Sequence, residues 1–538
     1  MLSSSRRPAP ARPRPPAPMR VVQLDLAGPD GPALSFGPAP GGPSWDETAG
    51  PRGDGDGSGD GDRPCGGSGD DRLAAGGPGT GGDRPGEGRP SAAGDAAAGR
   101  PSAAGDVPAA GGPDVGGDVP AAGGPDVGGD VQAAGGPGAD GDVFALVRLR
   151  GRPVDAVVCR VPPGRSAVDA VAAAARARLA GREPAAPPPD GGDLPRTSVV
   201  VATRDGAGRL ARTLDSLLAQ DHPDFEIVVV DNASATTATR DLVRHQYTGL
   251  ETVEVRYVRE PVPGLATAHN RGVAVADGLV VAFTDDDVVA DPHWLTALTR
   301  PFAGDPRLGC TTGLILPARL RTPAQILLES HGGFAKGFEP RTYDPRHPPA
   351  DQPLFPFTAG SFGSGANMAF RAAALRGIGG FDPATGTGTP ARGGDDLYAF
   401  VAVLAAGHRL RYSPEALVWH HHRETWQDLT DQAYGYGVGL TAALTALLVR
   451  RPGLLPALLR RLPAGLAHAR AITAHREAGA GTAAPAPAPG PHGRRDHPWP
   501  RHLSRLERRG MLAGPLGYAR ARLRLRGAEL PDAGPGSV

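Results

Sequence analysis

Three consecutive carboxylates, Asp285, Asp286 and Asp287, directly follow an apolar run in the segment 280–295, VVAFTDDDVVADPHWL. Adjacent carboxylates repel one another, and each is costly to bring near a low-dielectric core unless a positive charge lies between them. Two interpretations fit this segment on its own: a solvated acidic turn before a helix, or a site for a divalent cation. The neighbouring sequence has to decide between them.

Acidic residues follow two further apolar runs of the same kind. Asp205 comes shortly after Ser198–Thr203 (SVVVAT), and Asp231 comes directly after Phe225–Val230 (FEIVVV). These runs alternate with segments of helical periodicity, which predicts a mostly parallel sheet covered by helices on both faces. Because such sheets bind ligands outside the carboxyl ends of their strands, the acidic residues should meet there. We therefore predict a site for Mg²⁺ or Mn²⁺ and a polar ligand.

The order of these elements, together with two later ones, resembles the family 2 glycosyltransferases of the GT-A fold. The resemblance covers about 197–435 and rests on five motifs, which are residues 198–234, Pro263–Gly272 (PGLATAHNRG), the triple aspartate, Gly394–Leu397 (GDDL) and Val418–Arg423 (VWHHHR). It implies a Rossmann-like α/β domain that moves a sugar from a nucleotide-diphosphate sugar to an acceptor hydroxyl with inversion. The metal would serve the diphosphate leaving group.

The resemblance also implies roles for individual residues. Nucleotide-sugar binding is assigned to Thr203, Arg204, Asp231, Asn270, Asp285 and Asp286. Asp285 and Asp287 would form the Asp-x-Asp metal motif with His420; alternatively, Asp286 is the metal ligand and Asp285 binds the ribose. Asp396 would remove the proton of the acceptor hydroxyl, with Asp395 orienting the acceptor or a loop. Arg271 and Arg423 would contact the diphosphate, and Asn367 would contact the acceptor.

One position departs from the family's pattern. The family usually has an arginine before the asparagine of this motif, but here that residue is His269. A neutral imidazole binds phosphate less well than a guanidinium, so the diphosphate contact on this loop would depend on Arg271. Near the predicted acceptor side, Phe362 and Trp419 are interpreted first as core residues and second as rings that stack on a sugar.

The composition predicts a folded part much smaller than 538 residues. Gly (79) and Pro (59) make up a quarter of the chain, and AAGGPDVGGDV occurs at both 109 and 121, which is typical of low complexity. The zero net charge argues against a nucleic-acid partner. Three widely spaced cysteines fit a reducing compartment and argue against a cysteine zinc site. We expect a cytoplasmic protein, since the N-terminus has no secretory h-region and the apolar run 438–449 is too short to span a membrane.

These patterns divide the chain into parts. Residues 1–18 are predicted to be disordered. Residues 19–183 form a small α+β module that is interrupted by a disordered low-complexity insert at about 28–141. A linker at 184–196 leads to the glycosyltransferase domain at 197–435.

A basic helical region follows at 436–538, with a Pro/Ala/Gly-rich linker at about 477–500. Two interpretations of its helices stay open. They either dock on the catalytic domain or bind anionic lipid at the inner face of the cell membrane.

The leading hypothesis is thus an enzyme, a glycosyltransferase acting on a carbohydrate, lipid-linked or small-molecule hydroxyl in cell-envelope polysaccharide, glycolipid or natural-product glycosylation. A sugar nucleotidyltransferase is the first alternative, but it should have a Gly-rich phosphate loop with a basic residue right after the first strand. The segment 202–209 has only a loose version of such a loop. A non-catalytic sugar-nucleotide-binding module is the second alternative, and the intact acidic residues argue against it.

Overall fold

The structure is a computed structural model that describes residues 17–27, 32–36, 141–182, 193–478 and 499–527. The predicted disordered terminus, most of the insert with its repeats, and most of both linkers lie outside the described residues.

The described elements alternate between strands and helices over most of the chain. The strands are β1 (Met19–Asp25), β2 (Ala33–Phe36), β3 (Gly141–Leu149), β4 (Arg152–Val161), β5 (Thr197–Thr203), β6 (Phe225–Asn232), β7 (Glu254–Glu260), β8 (Val280–Asp285), β9 (Val288–Ala290), β10 (Leu308–Pro317), β11 (Arg341–Tyr343), β12 (Asn367–Arg371) and β13 (Arg409–His420). The α-helices are α1 (Ala167–Leu179), α2 (Ala207–Leu218), α3 (Ala238–Leu242), α4 (Leu265–Val275), α5 (Trp294–Gly304), α6 (Pro323–Gly332), α7 (Ala372–Gly377), α8 (Asp395–Ala405), α9 (Trp426–Arg450), α10 (Leu455–Ala478) and α11 (Arg501–Gly527).

The large sheet carries the predicted alternation of strands and helices. Its order is β11-β13-β10-β12-β8-β5-β6-β7, with β9 also paired to β13. The neighbours β8, β5, β6 and β7 are all parallel, and β12 is antiparallel between β8 and β10. Valines on β5 and β6 are fully buried on both faces of the sheet, as expected for central parallel strands with helices packed on both faces. The predicted α/β fold class with flanking helices is confirmed, but the large sheet is mixed rather than mostly parallel, since four pairings of its described strands are parallel and four are antiparallel.

A smaller sheet of order β2-β1-β3-β4 precedes the large one in the chain. Its parallel pair β1 and β3 joins strands that lie on either side of the predicted insert. Alternate residues of β3 serve different cores: Val143 packs with Val171 of α1, whereas Phe144 packs with Trp419 of the large sheet. The buried Arg148 adds a salt bridge of 2.5 Å to Asp291. The small sheet is therefore packed against the domain that holds the acidic strand ends.

Helix α9 runs through the predicted domain boundary at 435/436. Glycines on both helices let α9 and α11 approach closely. A Cβ on Gly437 of α9, or on Gly510 or Gly514 of α11, would overlap atoms of the other helix. Asp382 joins both helices to the loop before α8, accepting hydrogen bonds from Arg450 Nε (2.7 Å) and from the Tyr518 hydroxyl (2.9 Å). The end of α9 and the middle of α11 are therefore both packed against the loop that precedes α8.

By length and composition alone, α9 is also long and apolar enough to cross a membrane, and 44% of its qualifying stretch is buried inside the protein.

Candidate active site

The acidic residues that follow the parallel strands meet at one edge of the large sheet. Thr203 at the end of β5 pairs in register with Asp231 at the end of β6, and Ala202 pairs with Asp285 at the end of β8. Parallel strands all present their carboxyl ends at the same edge, so the topology alone brings these three strand ends side by side.

The middle aspartate of the triple points away from the other two. Asp286 accepts hydrogen bonds from the Thr203 hydroxyl (2.5 Å) and from Arg209 Nε (2.7 Å) and is only 8% exposed. Gly206 packs against the same carboxylate, where a Cβ would overlap it. Burial raises the pKa of Asp286, although Arg209 and Thr203 oppose that shift. Neighbouring side chains thus bind both oxygens of Asp286, and its predicted nucleotide contact and its alternative role as metal ligand stay predictions.

Asp285, Asp287 and His420 form a group that fits a divalent cation. One potential ligand atom from each lies within 4.8 Å of the others. Among the described residues, Asp287 Oδ1 has no hydrogen-bond partner, and His420 Nε2 lies 3.4 Å from it. At an effective dielectric constant of about 20, two ionised carboxylates within this distance repel by at least about 3.5 kcal/mol. A bound cation would remove that repulsion, and oxygen and imidazole ligands suit Mn²⁺ or Mg²⁺.

The charge states of this group agree with its geometry. Burial raises the pKa of Asp285 well above its ordinary value, and Asp287, Asp286, Asp395 and Asp396 raise it further. Burial lowers the pKa of His420 to about 4, so its imidazole is neutral at physiological pH and has a lone pair for a metal.

A second acidic pair begins helix α8. Asp396 accepts hydrogen bonds from two backbone amides, those of Gly365 (2.9 Å) and Leu397 (2.7 Å). Burial and the charge of Asp395 raise the pKa of Asp396 to about 6. A carboxylate with that pKa is ionised at neutral pH and is a stronger base than an ordinary aspartate, which suits general base catalysis. Gly365, whose amide binds Asp396, lies two residues before Asn367, which pairs with Thr284 beside Asp285, so the two acidic groups lie at the same edge of the sheet.

The departure at His269 has a structural explanation. His269 is 1% exposed, lies between Phe283 and Phe381, and places Nδ1 3.2 Å from Asp395 Oδ2. The side chain therefore faces the acidic pair of α8. Its neighbour Asn270 exchanges two hydrogen bonds of 2.9 Å with the backbone of Phe381. Asn270 therefore holds the loop that leads to α8, and its predicted contact with the nucleotide sugar stays a prediction.

Asp231 has one occupied and one available oxygen. Its Oδ2 accepts hydrogen bonds from the Tyr257 hydroxyl (2.7 Å) and from Arg259 Nη1 (3.1 Å). Its Oδ1 is buried without a partner in the part of the chain that the structure describes, and a buried unpaired acceptor is costly unless a ligand fills it. Sequence reasoning missed Tyr257 and Arg259. Their two-residue spacing near the end of β7 was the available signal, since such residues share one face of a strand.

The remaining predicted residues differ in their surroundings. Asn367 is fully buried, and its amide bonds Trp294 Nε1 and the carbonyl oxygens of Leu314 and Ala416 at 2.8–2.9 Å. That amide joins β12 to its neighbours, and its predicted contact with an acceptor stays a prediction. Phe362 and Trp419 are fully buried core residues, as the first interpretation had it.

Three predicted arginines lie near the site. Arg204 follows β5 and is half exposed, 3.8 Å from Asp205. Arg271 on α4 is half-buried and lowers the pKa of Glu260, which burial otherwise raises. Arg423 is exposed, and its charge adds to the effect of burial on the pKa of His420. Among the residues that the structure describes, none of the three has a partner that excludes contact with an anionic ligand.

Comparisons with known proteins match part of this chain to glycosyltransferases. Residues 198–378 match the family model described as "Glycosyl transferase family 2". The pre-mycofactocin glycosyltransferase of Mycobacterium tuberculosis is 29% identical over 270 residues, 49% of this chain and 50% of that protein. The validoxylamine A glucosyltransferase of Streptomyces hygroscopicus subsp. jinggangensis is 33% identical over 156 residues, 28% of this chain and 31% of that protein.

Among solved structures, a mannosyltransferase from Pyrobaculum calidifontis in complex with GDP-Man and Mn²⁺ is similar over 65% of this chain and 92% of that one, at 20% identity and a TM-score of 0.38. This chain matches half the length of the pre-mycofactocin glycosyltransferase and about a third of the length of the validoxylamine A glucosyltransferase.

Proposed function

We propose that this chain, whose residues 198–378 match the family model of glycosyl transferase family 2, transfers a sugar from a nucleotide-diphosphate sugar to an acceptor hydroxyl, with inversion and with help from Mn²⁺ or Mg²⁺. The mixed sheet with helices on both faces fits the GT-A fold. The proposal rests above all on one observation, that two acidic groups from distant parts of the chain lie at the same carboxyl edge of the sheet.

The donor would bind along the strand ends. Asp231 offers a buried, unpaired oxygen to a donor N–H or hydroxyl, which suits the base or ribose of a nucleotide. Asp285, Asp287 and His420 would hold the cation, which when bound neutralises charge on a diphosphate leaving group. Arg271 and Arg423 are the cationic side chains proposed to contact that diphosphate, and Arg204 stays a proposed contact of the nucleotide.

The acceptor would bind on the side of α8. Asp396 accepts a proton from the acceptor hydroxyl as that oxygen attacks the anomeric carbon from the face opposite the diphosphate. The backbone amides of Gly365 and Leu397 hold the carboxylate in place without taking its charge. Asp395, which lies 3.2 Å from His269 Nδ1, would orient the acceptor or a loop. A single displacement with one general base inverts the configuration of the sugar.

The two alternative functions have less support. A nucleotidyltransferase needs a Gly-rich phosphate loop right after the first strand, but residues 202–209 contain only two glycines, and Arg209 of α2 is bound to Asp286, which leaves Arg204 as the basic residue of that loop. A non-catalytic module has no use for a carboxylate whose pKa is raised to about 6 beside a second acidic group.

A panel of nucleotide sugars tests the proposal directly. With Mn²⁺ or Mg²⁺ present, we expect at least one donor to be hydrolysed slowly to its nucleoside diphosphate, and faster when an acceptor is added. The acceptors should include pre-mycofactocin and validoxylamine A, for which the relatives are named. Exchange of pyrophosphate into the donor would indicate nucleotidyl transfer instead. Silence across the panel, with nucleotide binding intact, would favour the non-catalytic module.

We also propose that the exposed face of α11 contacts anionic lipid. Leu512, Leu516 and Leu523 are 85%, 54% and 65% exposed, and their spacing puts them on one face of the helix, opposite the glycines that pack on α9. Exposed arginines flank this leucine stripe on both sides, namely Arg508, Arg509, Arg520 and Arg526. Apolar side chains bordered by arginines fit a membrane surface with negative headgroups. The protein would then act in the cytoplasm at the inner face of the cell membrane.

Co-sedimentation with vesicles tests this contact. The full chain should pellet with vesicles of equal phosphatidylglycerol and phosphatidylcholine, but not with phosphatidylcholine alone. Changing Leu512, Leu516 and Leu523 together to serine should lower binding at least about a hundredfold, because each leucine loses over 1 kcal/mol of apolar burial. Leu279→Ser, which alters a leucine that is 66% exposed elsewhere, is the matched control. Equal pelleting of the triple variant, or dimerisation through this face in size-exclusion chromatography, would rule out the lipid contact.

A further inference from the structure

A buried chain of three side chains leads from helix α6 to the candidate metal group. Glu329 of α6 accepts a hydrogen bond from His422 Nε2 at 2.9 Å. On its other side, His422 Nδ1 lies 3.3 Å from Nδ1 of His420. Glu329 and His422 are 7% and 3% exposed, so this chain is shielded from water.

These contacts fix which ring nitrogens carry protons. A carboxylate can only accept, so the Glu329 contact puts a proton on His422 Nε2. The Nδ1 of a neutral His422 is then an acceptor, and the contact between the two Nδ1 atoms requires that His420 donate from its own Nδ1. The remaining nitrogen of His420, Nε2, is left with a lone pair.

The other end of the chain agrees with this assignment. His420 Nε2 lies 3.4 Å from Asp287 Oδ1, and that oxygen has no hydrogen-bond partner among the described residues. If Nε2 carried a proton, Asp287 would be its natural acceptor. Two electron-pair donors that face each other at this distance are what a bound cation requires.

We infer that Glu329 and His422 are positioning residues, which hold His420 as its Nδ1–H tautomer and aim the Nε2 lone pair at the cation that Asp285 and Asp287 also bind. This inference rests on the proposed metal-assisted function and names two residues that support that site. Partners behind a ligating histidine commonly set its tautomer and its strength as a ligand.

The surroundings hold the chain in one geometry. Phe334 packs against both imidazoles, with ring centroids 5.3 and 5.6 Å away. Gln325 belongs to the capping box that starts α6, and its amide donates to the carbonyl oxygen of His422 at 3.1 Å. The helix that carries Glu329 is therefore tied at its first turn to the strand end that carries the histidines, so the distance between them is set by the fold.

Manganese binding to three variants tests the inference. Glu329→Leu keeps the approximate volume but removes the acceptor, and we expect it to weaken Mn²⁺ binding about 10- to 100-fold. Glu329→Gln keeps an oxygen that can accept from His422 and should stay close to wild type. Glu339→Leu, at an exposed glutamate in the next loop, is the surface control. Calorimetry or the electron paramagnetic resonance signal of free Mn²⁺ gives the affinities without any turnover.

A spectroscopic measurement separates positioning from simple loss of structure. In metal-free protein labelled with ¹⁵N-histidine, the ring shifts of His420, assigned by their loss in His420→Gln, should show a proton on Nδ1 in wild type and Glu329→Gln. In Glu329→Leu that preference should be lost while the unfolding temperature of the Gln and Leu variants stays comparable. A wild-type Nε2–H tautomer, or unchanged Mn²⁺ affinity in Glu329→Leu, would overturn the inference. Wild-type Mn²⁺ binding without any donor turnover would instead count against the proposed function and leave the positioning role intact.

Discussion

Asp396→Asn should lower sugar transfer at least about a hundredfold, since a positioned general base contributes about 10²- to 10⁴-fold to the rate. Asparagine has nearly the same shape, and its amide oxygen can still accept from the backbone amide of Gly365, which now lies 2.9 Å from Asp396. We therefore expect the affinity for nucleoside diphosphate and metal to stay near the wild-type value. Steady-state kinetics on an active donor, together with calorimetry of nucleotide binding, measures both quantities.

The pH profile gives the same residue an independent signature. Burial and Asp395 raise the pKa of Asp396 to about 6, so the carboxyl is protonated and inactive as a base below that pH. Wild-type turnover should rise with pH through about 6 and then level off, and this rise should disappear in Asp396→Asn. Asp395→Asn is the matched variant, and its loss should be smaller because Asp395 faces His269. Wild-type turnover in Asp396→Asn would show that another group is the base.

Asp287→Ala should abolish the metal dependence of nucleotide binding. The change removes one of three ligand groups and leaves Asp285 and His420 as an incomplete site. We expect Mn²⁺ affinity to fall at least about a hundredfold, since even changes to residues behind a ligand cost 10- to 100-fold. Turnover should fall about a thousandfold, because the cation contributes several kcal/mol of charge stabilisation to the transition state.

The control for this variant is Asp277→Ala, which removes an exposed carboxylate at the opposite end of strand β8. Calorimetry of nucleoside diphosphate, with and without Mn²⁺, should show a metal effect in wild type and control but none in Asp287→Ala. A metal effect of wild-type size in Asp287→Ala would mean that the cation binds elsewhere.

The sequence determined the elements of the fold and their general chemistry. Apolar runs alternating with helical segments are enough to predict β5 to β8, because a strand buried on both faces and a one-sided helix have different periodicities. Strand ends in such a sheet meet at one edge. Thr203, Asp231 and Asp285 could therefore be placed together from the sequence alone, and the strand register agrees. The resemblance to a known family then suggested what chemistry that edge performs, and the family match at 198–378 agrees.

The sequence left the direction of individual side chains undetermined. Three adjacent aspartates look alike in a sequence, and only the fold shows that Thr203 and Arg209 hold Asp286 while Asp285 and Asp287 face His420. Asn367 and Asn270 looked like ligand contacts, but each satisfies buried backbone groups that the sequence does not reveal. Glu329 is more than 90 residues from His422, and no local pattern connects them.

The physical reason for this division is the range of the interactions involved. Backbone hydrogen bonding and apolar periodicity are local properties that the order of residues fixes, and they decide which elements form and where their ends meet. The partner of a buried polar group depends on which distant chain segment is packed against it. In this protein the sequence determined that carboxylates gather at the edge of the sheet, and the tertiary structure decided which of them are bound by neighbours and which remain for a cation, a nucleotide or a proton.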